Sequence, residues 1–380
     1  MNELNDIKIH RGLKEIYLDR TKSSFIVGKN GKLYYRGFNI NELANNSTFE
    51  EVSYLLIHGK LPNKSQLNEI TIWMSNNRNI PIEVINLIDS IKHLHPMDVL
   101  RTAISTLAAF DDSLDDDSID SNVKKGLSIT TKAPTIVTAH VRLRDGKDPI
   151  SPEKSLSHAS NFLYMLFGVI PDELDAKLID KDLILHAEHG LNASSFTARV
   201  VASTQSDVYS AITAGIACLK GPAHGGAAEG VMKQAQEIGD EKNTTSYVKN
   251  LLSSGGRIMG FGHRVYKTAD PRALILKIDA KNLSERKGNP KWFGILQSLA
   301  VCMEPYEKKG ICENVDFWTG AIYNLLDIPD DIFVSIFALA RIPGWTAQIA
   351  EQFSNNILIR PLLAYVGELD KPYIKIEHRK

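Results

Sequence analysis

The spacing of apolar side chains near the start of the chain differs from the spacing in the rest of it. From residue 15 to residue 35 apolar and polar residues alternate, and Asn30-Gly31 separates the apolar runs 25–27 and 33–35. Alternation is the period of a strand with one buried face, and Asn-Gly is a preferred hairpin turn. The pattern therefore predicts a small N-terminal β element.

After the hairpin, apolar residues recur every three to four positions, which is the period of an amphipathic helix. Thr48 and Glu51 predict a capping box at the first helix start, and Gly59 and Pro62 predict its end. Further helices are predicted at 64–78, 81–93, 97–110, 119–144, 153–167, 174–190, 194–204, 207–220, 225–238, 244–253, 271–286, 291–309, 316–326 and 330–354. The chain is therefore predicted to be mainly α.

Length and composition predict a globular protein of two domains. The 380 residues exceed the usual size of a single core, and 43% of them are hydrophobic. The 44 basic and 45 acidic residues give a formal net charge of -1, which offers no overall field for nucleic acid or acidic membranes. We expect any anion site to be local, with no nucleic acid and no membrane as partner.

Cysteine usage and the N-terminus favour a cytoplasmic protein. Cys218, Cys302 and Cys312 are widely spaced and form no C-x-x-C pair, which argues against a disulfide framework and a zinc ribbon. The N-terminus lacks an apolar signal core and the Arg/Ser-rich character of a transit peptide. No window approaches the ~18 apolar residues of a membrane span.

Residues 255–272, GGRIMGFGHRVYKTADPR, carry the densest reactive chemistry in the chain. The glycines free the backbone for close approach of a ligand, while His263, Lys267 and Arg272 add an ionisable ring and two cations. Val265 occupies the third glycine position of a G-x-G-x-x-G pattern and no alternating β-α-β pattern surrounds it, which excludes a dinucleotide site. The segment predicts a loop that binds an anion.

Three further segments carry candidate chemistry. His224, in GPAHGGAAE, precedes a helix whose dipole disfavours an imidazolium, so it is either a neutral hydrogen-bond donor or a cap. Asp316, in NVDFWTG, is either an N-cap or a base whose pKa is raised by apolar neighbours. His186 and His189 flank Glu188 at a spacing that fits neither H-E-x-x-H nor H-x-x-E-H, so no metal site is predicted.

Together these segments resemble the motifs of the citrate synthase family, which includes the 2-methylcitrate synthases. GFGHRVYKTADPR (260–272) is similar to the family's signature segment, and HAEHGLN, GPAHGGA, NVDFWTG and Arg341 resemble other motifs in the family's order. YRG (35–37) and HPMD (95–98) are similar too, so the resemblance covers nearly the whole chain. Many relatives have Asp and Glu where this chain has Glu188 and Gly190.

The resemblance implies a two-domain citrate-synthase-like helical fold. Residues 1–221 and 322–380 would form a large helical domain, and residues 222–321 a small helical domain that closes over the substrates. It also implies a homodimer with shared active sites, in which Arg360 reaches into the site of the partner chain.

The resemblance also implies the reaction, a condensation of acetyl-CoA with oxaloacetate and water to citrate and CoA. Asp316 would remove the methyl proton, neutral His224 would hydrogen-bond the thioester oxygen, and His263 would supply a proton to the oxaloacetate carbonyl. No metal and no cofactor are expected, because the CoA thioester is itself a substrate.

Further residues match substrate-binding positions of the family. His189 matches a ligand of the oxo acid, and Phe337 either packs against the substrate or is an ordinary core residue. Carboxylate clamps are implied at Arg272, Arg341 and Arg360, because a guanidinium fork binds a carboxylate bidentately. CoA contacts are implied at Arg257, Ile258, Met259, Gly260 and Phe261 for the adenine, and at Lys267 for the phosphates.

Two alternatives stay open. A 2-methylcitrate synthase, which uses propionyl-CoA, fits the HAEH and ADPR versions of the motifs as well, and one methylene is worth only ~1 to 3 kcal/mol of discrimination. A non-catalytic acyl-CoA sensor would keep the fold, although such a protein has no need of His224, His263 and Asp316 together.

Overall fold

The computed structural model describes residues 8–13 and 15–379 and places a small sheet ahead of a helical body. Strands β1 (Ser24–Val27), β2 (Lys32–Tyr35) and β3 (Phe38–Asn39) form an antiparallel sheet in that order. Ser24 pairs with Tyr35 and Val27 with Lys32, which confirms the hairpin predicted around Asn30-Gly31. The alternation that begins at residue 15 forms a strand only from Ser24 onward.

The remaining regular structure is helical, which confirms the mainly α fold class. In the described residues the helices are α1 (Ile40–Asn46), α2 (Phe49–His58), α3 (Lys64–Asn76), α4 (Ile82–Ser90), α5 (Pro96–Leu107), α6 (Ile119–Arg144), α7 (His158–Phe167), α8 (Glu173–His186), α9 (Ala193–Ser203), α10 (Val208–Leu219), α11 (Ala227–Ile238), α12 (Thr244–Ser253), α13 (Pro271–Arg286), α14 (Lys291–Glu307), α15 (Asp316–Leu325) and α16 (Phe333–Ser354). Thr48 accepts the N–H of Glu51 at the start of α2, but the Glu51 carboxylate accepts from Ser47 Oγ, so only one bond of the predicted capping box is found. Gly59 ends that helix as predicted, in the left-handed conformation.

The predicted end of α8 at residue 190 is wrong, because the helix ends at His186. The N–H groups that would extend it bond to the hairpin instead. Glu188 N–H donates to Tyr35 Oη at 3.2 Å, and Gly190 N–H donates to Ser24 Oγ at 3.0 Å. The turn between α8 and α9 therefore lies against the first two strands.

Helix α16 runs through the core, with α6, α9 and α10 packed around it. The segment Asp330–Ser354 has the length and the mean hydropathy (1.4) of a membrane span, a match that the sequence analysis did not anticipate. Its whole apolar window is buried in the protein, as is typical of a core helix. A Cβ added to Gly126 of α6 would lie 2.3 Å from the side chain of Thr346, so this glycine lets α6 approach α16 closely.

The described chain falls into two compact units. One unit is Thr21–Ile357, which contains the sheet and all sixteen helices of the described chain. The other combines the described residues up to Arg20 with those from Leu358 onward, and its regular structure is two short 3-10 turns. The division into residues 222–321 and the remainder stays a prediction.

Candidate active site

His263 lies at the end of the glycine-rich loop with the roles of its two nitrogens defined. Nδ1 accepts the N–H groups of Val265 and Tyr266, both at 3.0 Å. A neutral ring must therefore carry its proton on Nε2. Burial, assisted by the charge of Arg272, lowers the pKa of His263 to about 4. At neutral pH the ring is thus an uncharged Nε2–H donor.

His189 reaches the same point from the turn after α8. The rings of His189 and His263 meet edge to face with centroids 5.1 Å apart, and His189 Nε2 lies 3.2 Å from Tyr266 Oη. Burial, together with the positive charge of Arg272, lowers the pKa of His189 well below its ordinary value. Two neutral imidazoles therefore share this part of the site.

Arg272 stands at the start of α13 in a buried ion pair. Asp270 caps the helix by accepting the N–H of Arg272 at 3.0 Å, and its carboxylate also accepts from Nε at 3.0 Å and from one Nη at 2.7 Å. Both residues are almost fully buried. The other Nη is the one nitrogen of this guanidinium that has no partner among the described residues. Arg272 can therefore offer a substrate one nitrogen rather than the complete fork.

The His189, His263 and Asp270 cluster also has the spacing of a metal site. One ligand atom from each residue lies within 4.8 Å of the other two. The Arg272 guanidinium is bound to Asp270, however, and holds a positive charge beside the cluster. The arrangement therefore favours an anion over a divalent cation.

His224 lies in the turn before α11 and contacts the first turn of α9. Its Nε2 accepts the N–H of Ser194 at 3.2 Å, so a neutral ring carries its proton on Nδ1. Burial, assisted by the charge of Arg341, lowers the pKa of His224 to about 4. The sequence analysis attributed the neutral ring to the dipole of the following helix, α11. In the structure the ring accepts its hydrogen bond from an N–H group of α9 instead.

Asp316 is the first residue of α15 and is half-buried. Of the two alternatives for Asp316, the N-cap is not found, because Val315 occupies the cap position and Asp316 is the first helical residue, with its N–H donating to Asn314 Oδ1 at 3.1 Å. Burial raises the pKa of Asp316 to about 6, while positive charge at His186, Arg272 and Arg341 opposes the rise. A carboxylate with this pKa is a stronger base than an exposed aspartate.

Asn314 connects the His263 loop to the start of α15. Its Nδ2 donates to Gly262 O at 3.1 Å, its backbone N–H donates to Gly260 O at 2.9 Å, and its Oδ1 accepts from Asp316. Residues 260–262 and 312–314 thus pair as two short antiparallel segments of the same chain. The sequence analysis missed this role, although an amide two residues before the aspartate is a recognisable capping signal.

Arg341, on α16, brings a second buried guanidinium to the site. Its Nε donates to the carbonyl of His186 at 2.6 Å, and among the described residues its two Nη groups have no partner. The ring of Phe337, one turn earlier, stacks on His186 at 4.1 Å between centroids. Arg341 therefore offers a free pair of donors, while Phe337 positions the His186 ring.

Comparisons with known proteins point to the same family along nearly the whole chain. A family model described as citrate synthase, C-terminal domain, matches residues 12–362. The citrate synthase of Haloferax volcanii is 40% identical over 380 residues, covering 98% of this chain and 99% of that protein. The chain belongs to the citrate synthase family. A 2-methylcitrate synthase of Corynebacterium glutamicum, 2-methylcitrate synthase 2, is also 40% identical, over 385 residues and 100% of both chains.

A solved citrate synthase shares the fold. The enzyme of Thermoplasma acidophilum, in a ternary complex with carboxymethyl coenzyme A and oxaloacetate, superposes with a TM-score of 0.93 at 32% identity. The match covers 98% of this chain and all of that one. The family therefore accounts for the chain from end to end, and not for its motifs alone.

In this family member the segment assigned to CoA is already partly hydrogen-bonded. Gln234 donates to Arg257 O and accepts from Met259 N–H, both at 2.8 Å. Ile258 is buried, and a Cβ on Gly260 would lie 2.7 Å from the Phe317 ring, so this position requires glycine. The predicted adenine contacts stay predictions, and Gln234 is a residue that the sequence analysis missed.

Glu188, between His186 and His189, is hydrogen-bonded to residues of the scaffold around the site. Its Oε1 accepts from Ser24 Oγ at 2.9 Å and from Gln348 Nε2 at 3.0 Å. Burial raises the pKa of Glu188 to about 7, against the opposing charge of Arg341. The Glu188 side chain thus connects the His189 turn to β1 and α16.

Lys267 and Arg360 are among the predicted substrate residues that are exposed. The Lys267 side chain is exposed, while its backbone N–H donates to Gly28 O at 3.0 Å. Arg360 belongs to the unit formed by the two ends of the chain, and its side chain is exposed as well. Their roles toward CoA phosphates and toward a partner's site stay predictions.

Proposed function

We propose that the chain is a citrate synthase that condenses acetyl-CoA with oxaloacetate and water to citrate and CoA. The observation that carries this proposal is the Asn314 bridge, in which Asn314 bonds to the carbonyl of Gly262, next to His263, and to the N–H of Asp316. It fixes an uncharged N–H donor and a basic carboxylate relative to each other, which is what deprotonation at one carbon and protonation at one oxygen require.

The first step breaks a C–H bond of the acetyl methyl group. The carboxylate of Asp316 takes the proton, and the electron pair moves to the thioester oxygen to form an enolate. His224, whose ring proton lies on Nδ1, donates a hydrogen bond to that oxygen. A neutral donor suits this task because an enolate accepts a hydrogen bond more strongly than the thioester does.

The second step forms the carbon–carbon bond. The enolate carbon attacks the carbonyl carbon of oxaloacetate, and Nε2–H of His263 protonates the carbonyl oxygen. Water then cleaves the citryl thioester: its oxygen bonds to the acyl carbon and CoA leaves as the thiol. The new carboxyl group and Asp316 each release a proton to solvent, and the ring of His263 regains one, so the cycle releases one proton and restores both residues. The free Nη groups of Arg341 and the remaining Nη of Arg272 would hold the oxo-acid carboxylates, with His189 beside the carbonyl.

Propionyl-CoA is a second candidate acyl donor, because the 2-methylcitrate synthase of C. glutamicum is as similar to this chain as the citrate synthase of H. volcanii. The test is kcat/KM for CoA release with oxaloacetate and either thioester. A higher value for acetyl-CoA supports the proposal, and a higher value for propionyl-CoA assigns the alternative. Absence of turnover with both thioesters would support a non-catalytic acyl-CoA sensor.

We also propose a homodimer whose sites use Arg360 of the second chain. The terminal unit exposes apolar side chains that a monomer rarely leaves in water, among them Leu362 (81%), Leu363 (98%) and Val366 (92%). A second copy of the chain would cover such a segment.

Mixing two inactive variants tests this sharing. Arg360→Ala and Asp316→Ala chains should each be nearly inactive, but a mixed dimer would contain one site with both residues intact. Random reassociation gives about half mixed dimers, so activity should return to roughly a quarter of the wild-type value. No recovery, with mixed dimers verified by mass spectrometry, would contradict the sharing of sites.

A small domain at residues 222–321 that closes over the substrates is the last part of the proposal. The glycine-rich loop lies inside that range, where a hinge or lid is expected. Oxaloacetate should then protect residues 255–263 from hydrogen exchange and tighten subsequent CoA binding. Equal exchange with and without oxaloacetate would contradict closure.

A further inference from the structure

The hydroxyl of Tyr266 lies inside the candidate site, on the loop that carries His263. Tyr266 is fully buried, and its Oη lies 3.2 Å from Nε2 of His189. Among the described residues this nitrogen is the only hydrogen-bond partner of the hydroxyl. Burial raises the pKa of Tyr266, so the hydroxyl keeps its proton at neutral pH. The buried O–H therefore has a single ring nitrogen with which to bond.

The direction of this hydrogen bond follows from the protons of the two groups. The His189 ring is neutral, so one of its nitrogens carries a proton and the other accepts. If Nε2 carried the proton, the O–H of Tyr266 would be a buried donor without an acceptor, which disfavours that form about tenfold or more. If the O–H donates to Nε2, both groups are satisfied. The ring proton of His189 therefore lies on Nδ1.

Nδ1 of His189 is the ring nitrogen that is left for a ligand. It has no hydrogen-bond partner among the described residues, and it stays open to solvent, unlike the sealed Nε2 of His186. The positive charges of Arg272 and Arg341 both act on the His189 ring. An anion drawn to these two guanidiniums would therefore lie beside the ring, where the Nδ1–H group adds a neutral donor.

Tyr266 contacts the second imidazole of the site as well. Its backbone N–H donates to Nδ1 of His263 at 3.0 Å, and the two rings lie 4.6 Å apart between centroids. Its ring also meets the His189 ring edge to face at 5.5 Å. One residue thus occupies one nitrogen of each imidazole. It leaves Nε2–H of His263 and Nδ1–H of His189 as the two free donors.

We propose that Tyr266 is a positioning residue whose hydroxyl holds His189 as the Nδ1–H tautomer, so that this N–H donates to the oxo-acid substrate. The inference rests on the proposed function for the identity of that substrate. The apparent affinity of a ligand scales with the fraction of the protein in the competent form. A ring that already carries its proton on Nδ1 therefore binds the oxo acid more tightly than a ring that divides between two tautomers.

The tautomer can be measured in the substrate-free protein with isotope-labelled histidine. Long-range proton–nitrogen NMR spectra near neutral pH distinguish a protonated ring nitrogen from a bare one, and the signals lost in His189→Asn assign the ring. The wild type should show His189 protonated on Nδ1 alone. In Tyr266→Phe neither tautomer has a partner at Nε2, so we expect the two forms to be comparably populated. A proton on Nε2 in the wild type, or an unchanged tautomer in Tyr266→Phe, would overturn the proposal.

Calorimetry then measures the dissociation constant for oxaloacetate. Tyr266→Phe should weaken binding about twofold to fivefold, because the competent tautomer is less populated, and KM for oxaloacetate should rise with kcat nearly unchanged. The matched control is Tyr209→Phe, which removes the hydroxyl of another buried tyrosine, bonded to Asp111 at 2.8 Å and to no residue of the site. Its affinity should equal that of the wild type. Equal affinities in the two variants would contradict the role of Tyr266.

A double variant separates action through His189 from damage to the loop. His189→Asn keeps an amide N–H near the position of Nδ1 and removes Nε2. If Tyr266 acts through the ring, adding Tyr266→Phe to His189→Asn should weaken oxaloacetate binding no further, whereas damage to the loop would add its full effect. Additive losses would therefore overturn the inference. If the wild type binds no oxaloacetate, the proposed function fails, and the tautomer measurement still decides the role of Tyr266.

Discussion

The pH dependence of turnover should report the titration of Asp316. Burial raises the pKa of this residue to about 6, in spite of opposing charge at His186, Arg272 and Arg341. A general base acts only when ionised, so kcat/KM should decline below pH 6 and stay level above it. At pH 5 a carboxyl group of this pKa is only about one-tenth ionised, which predicts a tenfold loss relative to pH 8.

His224 and His263, the two histidines proposed as catalytic, should not contribute to this decline. Burial lowers the pKa of His224 and of His263 to about 4, so both rings are neutral from pH 5 upward. Had either ring an ordinary pKa of about 6.5, the profile would fall with two protons below pH 6. A slope of one proton therefore separates the buried rings from solvent-exposed ones.

The assay is the initial rate of CoA release between pH 4.5 and 8.5 with both substrates varied, and circular dichroism at each pH to verify the fold. Asp316→Asn is the matched control, because it keeps the shape of the side chain and removes the titration. Its residual activity should be roughly 10²-fold to 10⁴-fold lower and should not fall further at pH 5. A midpoint below pH 4.5, or the same limb in Asp316→Asn, would refute the reasoning.

Three further predictions concern the scaffold of the site. Gly28→Ala should lower kcat/KM at least tenfold by displacing the His263 loop, because the added Cβ would lie 2.4 Å from the carbonyl oxygen of Val265. The control is Lys29→Ala at the neighbouring exposed residue, and equal kinetics in the two variants would refute the role of Gly28. Asn314→Ala should lower kcat/KM about tenfold to a hundredfold by removing two hydrogen bonds that align His263 with the base, and unchanged rates would show that the bridge is not needed. Glu188→Gln should raise thermal stability at pH 8 but not at pH 4, because burial raises the pKa of Glu188 in the folded protein to about 7, above the ordinary 4.5. The ionised carboxylate therefore costs at most about 3 kcal/mol of folding free energy above pH 7, and nothing once the folded and unfolded states are both protonated. An equal change in melting temperature at pH 8 and pH 4 would contradict this sign.

Local signals in the sequence were sufficient for most of the fold. Helix α6 has the predicted bounds because Ser118 caps its start and the apolar positions keep one period over its whole length. The predicted hairpin formed because Asn30-Gly31 suits its turn. These features depend on residues a few positions apart, which is the range over which propensity and periodicity act.

The errors lie where distant segments compete for the same backbone groups. Helix α8 has apolar spacing up to residue 190, yet it stops at His186 because Ser24 and Tyr35 take the N–H groups of the next turn. Nothing near residue 188 in the chain indicates that a strand more than a hundred residues earlier supplies those partners. The period of a helix predicts which face is apolar, but not which neighbour will end it.

The sequence alone also does not show which ring nitrogen of each site histidine carries the proton. The sequence offered His224, His263 and Asp316 as a set, but which ring nitrogen carries the proton depends on the backbone N–H donors that the fold places against each ring. His263 is an Nε2–H donor because two N–H groups of its own loop occupy Nδ1, and His224 is an Nδ1–H donor because Ser194 occupies Nε2. Opposite tautomers of the same residue type thus follow from two different contacts. Since a proton on the wrong nitrogen would remove the donor from the enolate or from the carbonyl, the catalytic assignment depends on this folding of the chain as much as on the motifs.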